Sequence, residues 1–139
     1  MMKIQIVDSE VVALNVSRIK SDETLDESFR FSFSPEFDAD LVKGYFVRFH
    51  AIIPHKNGMV YETEYRSQFR TDNKITEQFK ESKFIYINSP AIAYPFFRAF
   101  VANLMLVSGH EPLMLPTINF VSLYEKNQKE HVEQMDPTQ

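Results

Sequence analysis

The stretch Phe96-Phe97-Arg98-Ala99-Phe100-Val101-Ala102-Asn103-Leu104-Met105-Leu106-Val107 decides the fold. Wound into a helix, it is apolar on nearly every side instead of along one stripe. A helix packed on one sheet of a small domain keeps a polar outer face, so an apolar circumference requires a second covering layer. A single four- or five-stranded sheet supplies only one. The remaining cover is a partner subunit, and an obligate oligomer is expected.

Working outward, Asn88-Ser89-Pro90 offers a helix start. Ser89 can accept a hydrogen bond from an orphan N–H, and proline is tolerated at the first helical position. Pro95 competes with that reading, because an interior proline removes a backbone bond at a cost of about 3 kcal/mol, and the regular helix then starts near Tyr94. Gly109 and Pro112 end it. The apolar run from Pro90 to Val107 approaches spanning length, but Arg98, Asn103 and two prolines argue against membrane insertion. Beyond it, Met114-Leu115-Pro116-Thr117-Ile118 is an apolar connection. Asn119 caps a short helix whose apolar residues Phe120, Leu123 and Tyr124 share one face. From Lys126 onward the chain is polar, so residues 1–126 are read as one domain and 127–139 as a disordered tail.

Upstream the period is two. In Tyr61-Glu62-Thr63-Glu64-Tyr65-Arg66-Ser67-Gln68-Phe69-Arg70 the odd positions are aromatic or small and the even ones charged or amide, as a half-buried strand requires. Phe29 to Phe33 alternates likewise, Val11 to Arg18 reads as another strand, and Tyr45 to Ile53 has the composition of a strand buried on both faces. Between the last two strands of this region, Asn57-Gly58 suits a type I′ turn and an antiparallel hairpin. Lys20 to Glu27 is a loop, and Lys80 to Ile87 fits neither period. The fold class is α+β.

Composition narrows the function. A net charge of −4, a pI near 5.5 and no basic stripe argue against nucleic acid. The absence of cysteine excludes disulfides and thiolate chemistry and fits a reducing compartment. Met1 to Asp8 lacks the apolar run of a signal peptide. His50, His55, His110 and His131 are too scattered for a metal site, and no nucleophile elbow or phosphate-binding glycine loop is present. Glu62 and Glu64, interleaved with Arg66 and Arg70, read as a charge-paired surface rather than an acid–base pair. Neither a cofactor nor an enzymatic activity is expected. The 13 Phe and 6 Tyr exceed what one small core obviously needs. They suit a core with a subunit interface and a peptide groove equally well.

The run Ala91-Ile92-Ala93-Tyr94-Pro95-Phe96-Phe97-Arg98, followed by Leu113-Met114-Leu115-Pro116-Thr117-Ile118-Asn119-Phe120 and then Leu123-Tyr124, resembles the C-terminal half of the SecB family. The preceding strands agree in order but only weakly in residues. The resemblance implies a four-stranded antiparallel sheet with two helices, assembled as a homotetramer, a dimer of dimers with the long helices sandwiched between sheets. Phe96, Phe97, Phe100, Val101, Leu104 and Met105 would then form the oligomer interface. It also implies a bacterial cytoplasmic chaperone that captures non-native polypeptides or preproteins in apolar grooves and hands them to the SecA motor. Tyr61, Tyr124 and, by a looser alignment, Leu25 match the family's aromatic groove positions. Arg98 matches its helix arginine, expected to form a structural pair. Of the acidic positions that dock SecA only Glu64 is retained; Ala13 and Ser17 stand at the others. With Pro116 one place earlier than the family pattern, the chain resembles a divergent branch, and a scaffold serving one partner, such as a toxin–antitoxin pair, is the alternative.

Overall fold

The computed structural model of the protein describes residues 2–19 and 29–135, with side chains described through residue 128. Four strands form one antiparallel sheet: β1 (Ile4–Arg18), β2 (Arg30–Glu36), β3 (Gly44–Pro54) and β4 (Met59–Thr71), in the order β1-β4-β3-β2. Three helices follow: α1 (Glu77–Lys80), α2 (Ser89–Val107) and α3 (Phe120–Met135). Among the described residues the sheet has no fifth strand. The α+β class expected from the sequence is the one observed.

The central strands carry the core. On β3, Tyr45, Val47, Phe49, Ala51 and Ile53 point toward the helices and are buried, as are Tyr61, Thr63, Tyr65, Ser67 and Phe69 on β4. Successive strand residues alternate in direction, so the intervening Phe46, Arg48, His50 and Ile52 face away and are only half-buried. β3 is therefore buried on one face, not two: its back is covered by long charged side chains rather than by another layer.

β1 begins at Ile4, well before the expected Val11, and two bulges explain why its first half is hard to read. The register with β4 shifts between Ile6 and Asp8 and again between Val11 and Ala13. Each bulge adds one residue and resets the alternation. Ile4, Ile6, Ser9, Val11, Leu14 and Val16 thereby all lie opposite the inward residues of β4, whereas an unbroken period would have turned Asp8 and Glu10 toward the helices.

The β3–β4 hairpin also departs from expectation. Gly58 has φ +88° and among the described residues no non-glycine residue has positive φ, so Asn57 cannot occupy a type I′ turn, which needs positive φ at both central residues. Gly58 N–H donates to His55 O (3.0 Å) and His55 N–H to Met59 O (2.8 Å). That is a type I turn closed by a glycine bulge, and the Asn57 side chain accepts from Met59 N–H at 2.9 Å.

α2 starts at Ser89 and runs through Pro95, so the later start near Tyr94 is not the one used. Ala93, Tyr94, Phe97, Val101 and Met105 bury one face against the sheet, and this packing outweighs the one backbone bond that Pro95 removes. Ser89 does not cap the helix. It is buried, accepts from Tyr45 Oη at 2.6 Å and donates to Phe84 O at 3.1 Å, tying β3 to the single π-type turn Phe84–Asn88 that leads into α2. Burial pushes the Tyr45 phenol up to about 12, with the Ser89 hydrogen bond pulling the other way. An unfolded phenol ionises near 10; the folded state thus holds its proton longer, and stability falls as pH rises above that value. At the far end Gly109 (φ +83°) closes the helix. His110 N–H reaches Met105 O (2.8 Å) and Gly109 N–H reaches Leu106 O (3.1 Å), the two bonds of a Schellman cap.

Asn119 caps α3 as its sequence suggests, accepting from Ser122 N–H at 3.0 Å. The helix is not short, however. It continues to Met135, through residues read as the start of a disordered tail. Polarity there does not mean disorder, because Glu, Lys and Gln rank among the better helix formers and nothing between Lys126 and Met135 breaks a helix.

Candidate binding surface

The two faces of the sheet differ in kind. The helix-free face is a lattice of charges: Arg48 pairs with Glu36 and, at 3.1 Å, with Glu64; Arg66 reaches Glu10 at 2.6 Å; His50 lies 3.0 Å from Glu62. The Arg66 guanidinium also lies 4.3 Å from the centre of the Phe46 ring. The carboxylates find cross-strand partners rather than the Arg66 and Arg70 of their own strand: Glu62 and Glu64 reach diagonally to His50 and Arg48 on β3, and Glu10 faces Arg66 directly. These groups are partly exposed, and each pair contributes about 1 kcal/mol or less. Glu62 and Glu64 are thus a paired surface, and Glu64 is already engaged by Arg48.

The helical side is apolar and open in three places. On the flank of α2 toward β1, Phe100 stacks on Tyr65 (5.2 Å between centroids, 9° between planes), whose opposite number on β1 is Val11. Phe96 stands one turn before Phe100, 52% exposed, and Val107, two turns beyond Phe100, is 81% exposed. Val11 and Leu14 add further exposed apolar surface. Phe84 to Val107 is long and apolar enough to cross a membrane, yet its inner face is packed on the sheet.

On the opposite flank, Pro95, Arg98, Ala99 and Ala102 form one wall of a groove of about 390 Å³ and Pro112, Leu113, Met114 and Leu115 the other. The second wall is fixed to the body at three points. Tyr94 Oη donates to Pro116 O at 2.6 Å, His55 Nε2 contacts Glu111 O at 2.8 Å, and Leu113 N–H faces Met105 Sδ at 3.3 Å. Burial raises the Tyr94 phenol, the nearby Arg98 charge opposing, so Tyr94 stays a donor. Met114 stands out from this wall, 88% exposed.

The third opening is a cleft of about 540 Å³ lined by Glu81, Tyr86, Tyr124 and Gln128. The Tyr86 and Tyr124 rings are 6.0 Å apart, and Phe33, on the free edge strand β2, lies 6.5 Å from Tyr86. Tyr86 is delivered there by the π-type turn Phe84–Asn88, whose wider winding matches neither period two nor 3.6. That is why Lys80 to Ile87 is illegible in the sequence and why Tyr86 escapes it.

Of the residues singled out from the sequence, Tyr124 lines an open cleft. Tyr61 does not: it is fully buried, its hydroxyl bonded to His110 Nδ1, and it offers no surface to a ligand. Leu25 lies outside the described residues. Phe97, Val101 and Met105 are fully buried against this chain's own sheet and have nothing left for a partner subunit, while Phe100 and Leu104 are half-buried and Phe96 exposed. The helix divides its girth: 3.6 residues per turn put every third or fourth apolar side chain inward and leave its neighbours out. Arg98 forms no ion pair among the described residues; its guanidinium lies 5.9 Å from the centre of the Tyr94 ring. No cluster of three or more His, Asp or Glu side chains suited to a metal occurs among the described residues.

A four-stranded antiparallel sheet with helices on one side is a fold this chain shares with solved proteins. A SecB-like chaperone of Mycobacterium tuberculosis, solved with a ChAD peptide from the HigA1 antitoxin, superposes with a TM-score of 0.62 at 17% identity, over 83% of this chain and 90% of that one. A Streptococcus agalactiae protein of unknown function gives 0.55 at 11% identity, over 84% and 99% of the two chains. Residues 45–131 match the family model described as preprotein translocase subunit SecB. The chain belongs to the SecB family. Among curated relatives, protein-export protein SecB of Anaplasma phagocytophilum is 27% identical over 63% of this chain and 56% of its own length. That of Afipia carboxidovorans is 36% identical over 52% and 44%. The chain spans about half the length of the curated relatives it matches.

Proposed function

We propose that the protein is a cytoplasmic holdase, which captures non-native polypeptides in the grooves beside α2 and keeps them competent for export without cofactor, metal or covalent chemistry. The observation that carries this reading is the pair of open clefts on the helical side, one walled by Pro95 to Ala102 and Pro112 to Leu115, the other by Tyr86 and Tyr124. The mainly apolar groove beside Arg98 gains roughly 25 cal/mol per Å² of apolar surface removed from water whatever the order of residues in the client, and the second cleft offers two tyrosine rings between Glu81 and Gln128, so both suit many clients. Family membership supports the same reading. The exposed flank Val11, Leu14, Phe96 and Val107 is assigned to contacts between protomers of a homotetramer, a dimer of dimers. Transfer to SecA through the charged sheet face would have to draw Glu64 away from Arg48.

Aggregation of a chemically unfolded protein tests the proposal. Stoichiometric amounts of the chain are expected to suppress light scattering, and unchanged scattering rejects it. Tyr124→Ala should weaken client binding by about 1–2 kcal/mol, roughly tenfold in Kd by fluorescence titration, while assembly mass holds. A second reading, a carrier dedicated to one partner, is favoured by the antitoxin peptide bound to the mycobacterial structural relative. A pull-down yielding one stoichiometric protein, with no affinity for unfolded chains, would select it.

A further inference from the structure

His55 follows the last residue of β3 and is 2% exposed, with both ring nitrogens engaged. Asn57 N–H donates to Nδ1 at 3.1 Å, so Nδ1 is an acceptor and carries no proton. Nε2 faces the carbonyl of Glu111 at 2.8 Å and must therefore be the donor. The ring is thus held as the neutral Nε2–H tautomer, one nitrogen closing the hairpin turn and the other pinning the start of the α2–α3 connection. We propose that His55 is a proton-sensitive latch: protonation of its ring releases the connection Gly109 to Leu115, and with it one wall of the Arg98 groove.

A doubly protonated imidazolium has two donors and no acceptor. Its Nδ1–H would face Asn57 N–H, and one of the two buried donors would be stranded. The turn or the ring must then move, and the bond to Glu111 O goes with it. The Glu111 carboxylate is a neighbouring charge that favours the cation, but the groups around the ring give the stranded donor no acceptor. The Glu111 carboxylate is held down by its own hydrogen bond and charge pairing with Lys56, with the His55 side a lesser influence. Tyr61 and His110 pack against the ring at 6.2 and 5.8 Å, and the Tyr61 hydroxyl is taken by His110 Nδ1. Arg18 on β1, opposite Met59, is exposed and of the wrong sign. The latch is therefore closed with the ring neutral and opens when the ring carries both protons. The purpose of the latch rests on the holdase reading; the latch itself does not.

Hydrogen–deuterium exchange of the full chain tests it, with protection at about pH 7.5 and about pH 5.5 each taken relative to the intrinsic rate, across the imidazole range. Protection of amides in Gly109 to Leu115 is expected to fall about tenfold or more at the lower pH, while those of Phe49 and Tyr65 in the central strands hold. His55→Gln, which cannot titrate, should abolish that difference; His110→Gln should retain it. Equal protection at both pH values overturns the proposal, as does a difference that survives His55→Gln or vanishes in His110→Gln. Should the His55 variant fail to fold, the nitrogen shifts of His55 in the unaltered chain decide. The Nε2–H tautomer at the higher pH supports the latch, and the Nδ1–H tautomer overturns it. None of these measurements involves a client, so their outcome is separable from that of the aggregation assay.

Discussion

Phe97→Ala is expected to lose about 3–5 kcal/mol of stability, read as a lower urea midpoint at fixed protein concentration with an unchanged slope. Phe97 is fully buried at the centre of an aromatic cluster, its ring within 5.5–6.2 Å of Phe31, Phe49, Tyr65 and Tyr94. Truncation removes that transfer energy and leaves a cavity which four rings, each held by other neighbours, cannot collapse to fill. A loss below about 1 kcal/mol would show that the cluster repacks and that α2 is not anchored through this residue.

One residue earlier the expectation reverses. Phe96→Asp should leave the protomer folded, since the ring is half in solvent, yet drive the proposed assembly apart because each proposed subunit contact would bury an unpaired carboxylate at about 3–5 kcal/mol. Sedimentation equilibrium should show the mass falling to that of one protomer with the circular dichroism unchanged. Retention of a multimeric mass would place Phe96 outside the interface, and a wild-type chain that already sediments as a lone protomer would remove the assembly altogether. The two neighbouring phenylalanines thus separate folding from association.

That contrast also shows how much a sequence can yield. Alternation from Tyr61 to Arg70 was readable because β4 is central, unbulged and covered on one side only, so period two survives intact. The Asn119 cap and the stop at Gly109 were readable because each depends on a single residue's chemistry. β1 was half-legible, its bulges at Val7 and Val12 cancelling the period that a reader counts. The apolar girth of α2 was read as needing two covers, of which the chain's own sheet is one, but which residues that sheet takes was not readable. Phe97, Val101 and Met105 differ from Phe96 only in angle about the axis, and that angle is set by where the sheet lies. Tyr61 failed as a groove residue for a similar reason: an inward aromatic on a central strand looks the same whether a helix or a client covers it.

The strand order has a kinetic consequence. β1 and β2 are consecutive in the chain yet occupy opposite margins of the sheet, so each must find its place beside a strand that is synthesised later. Only β3 and β4 are joined by a tight local turn, and closing that turn costs little chain entropy compared with bringing Ile4 to Thr71. The middle of the sheet is therefore expected to zip first and its borders to attach afterwards. In pulse-labelled refolding, the amides of Phe49 and Tyr65 should gain protection before those of Ile6, with simultaneous protection pointing to a nucleus spread over the whole sheet. Until the borders attach, the nascent protomer would expose bare strand margins of the kind its proposed clients carry, which makes the protein, early in its own life, a candidate for its own care.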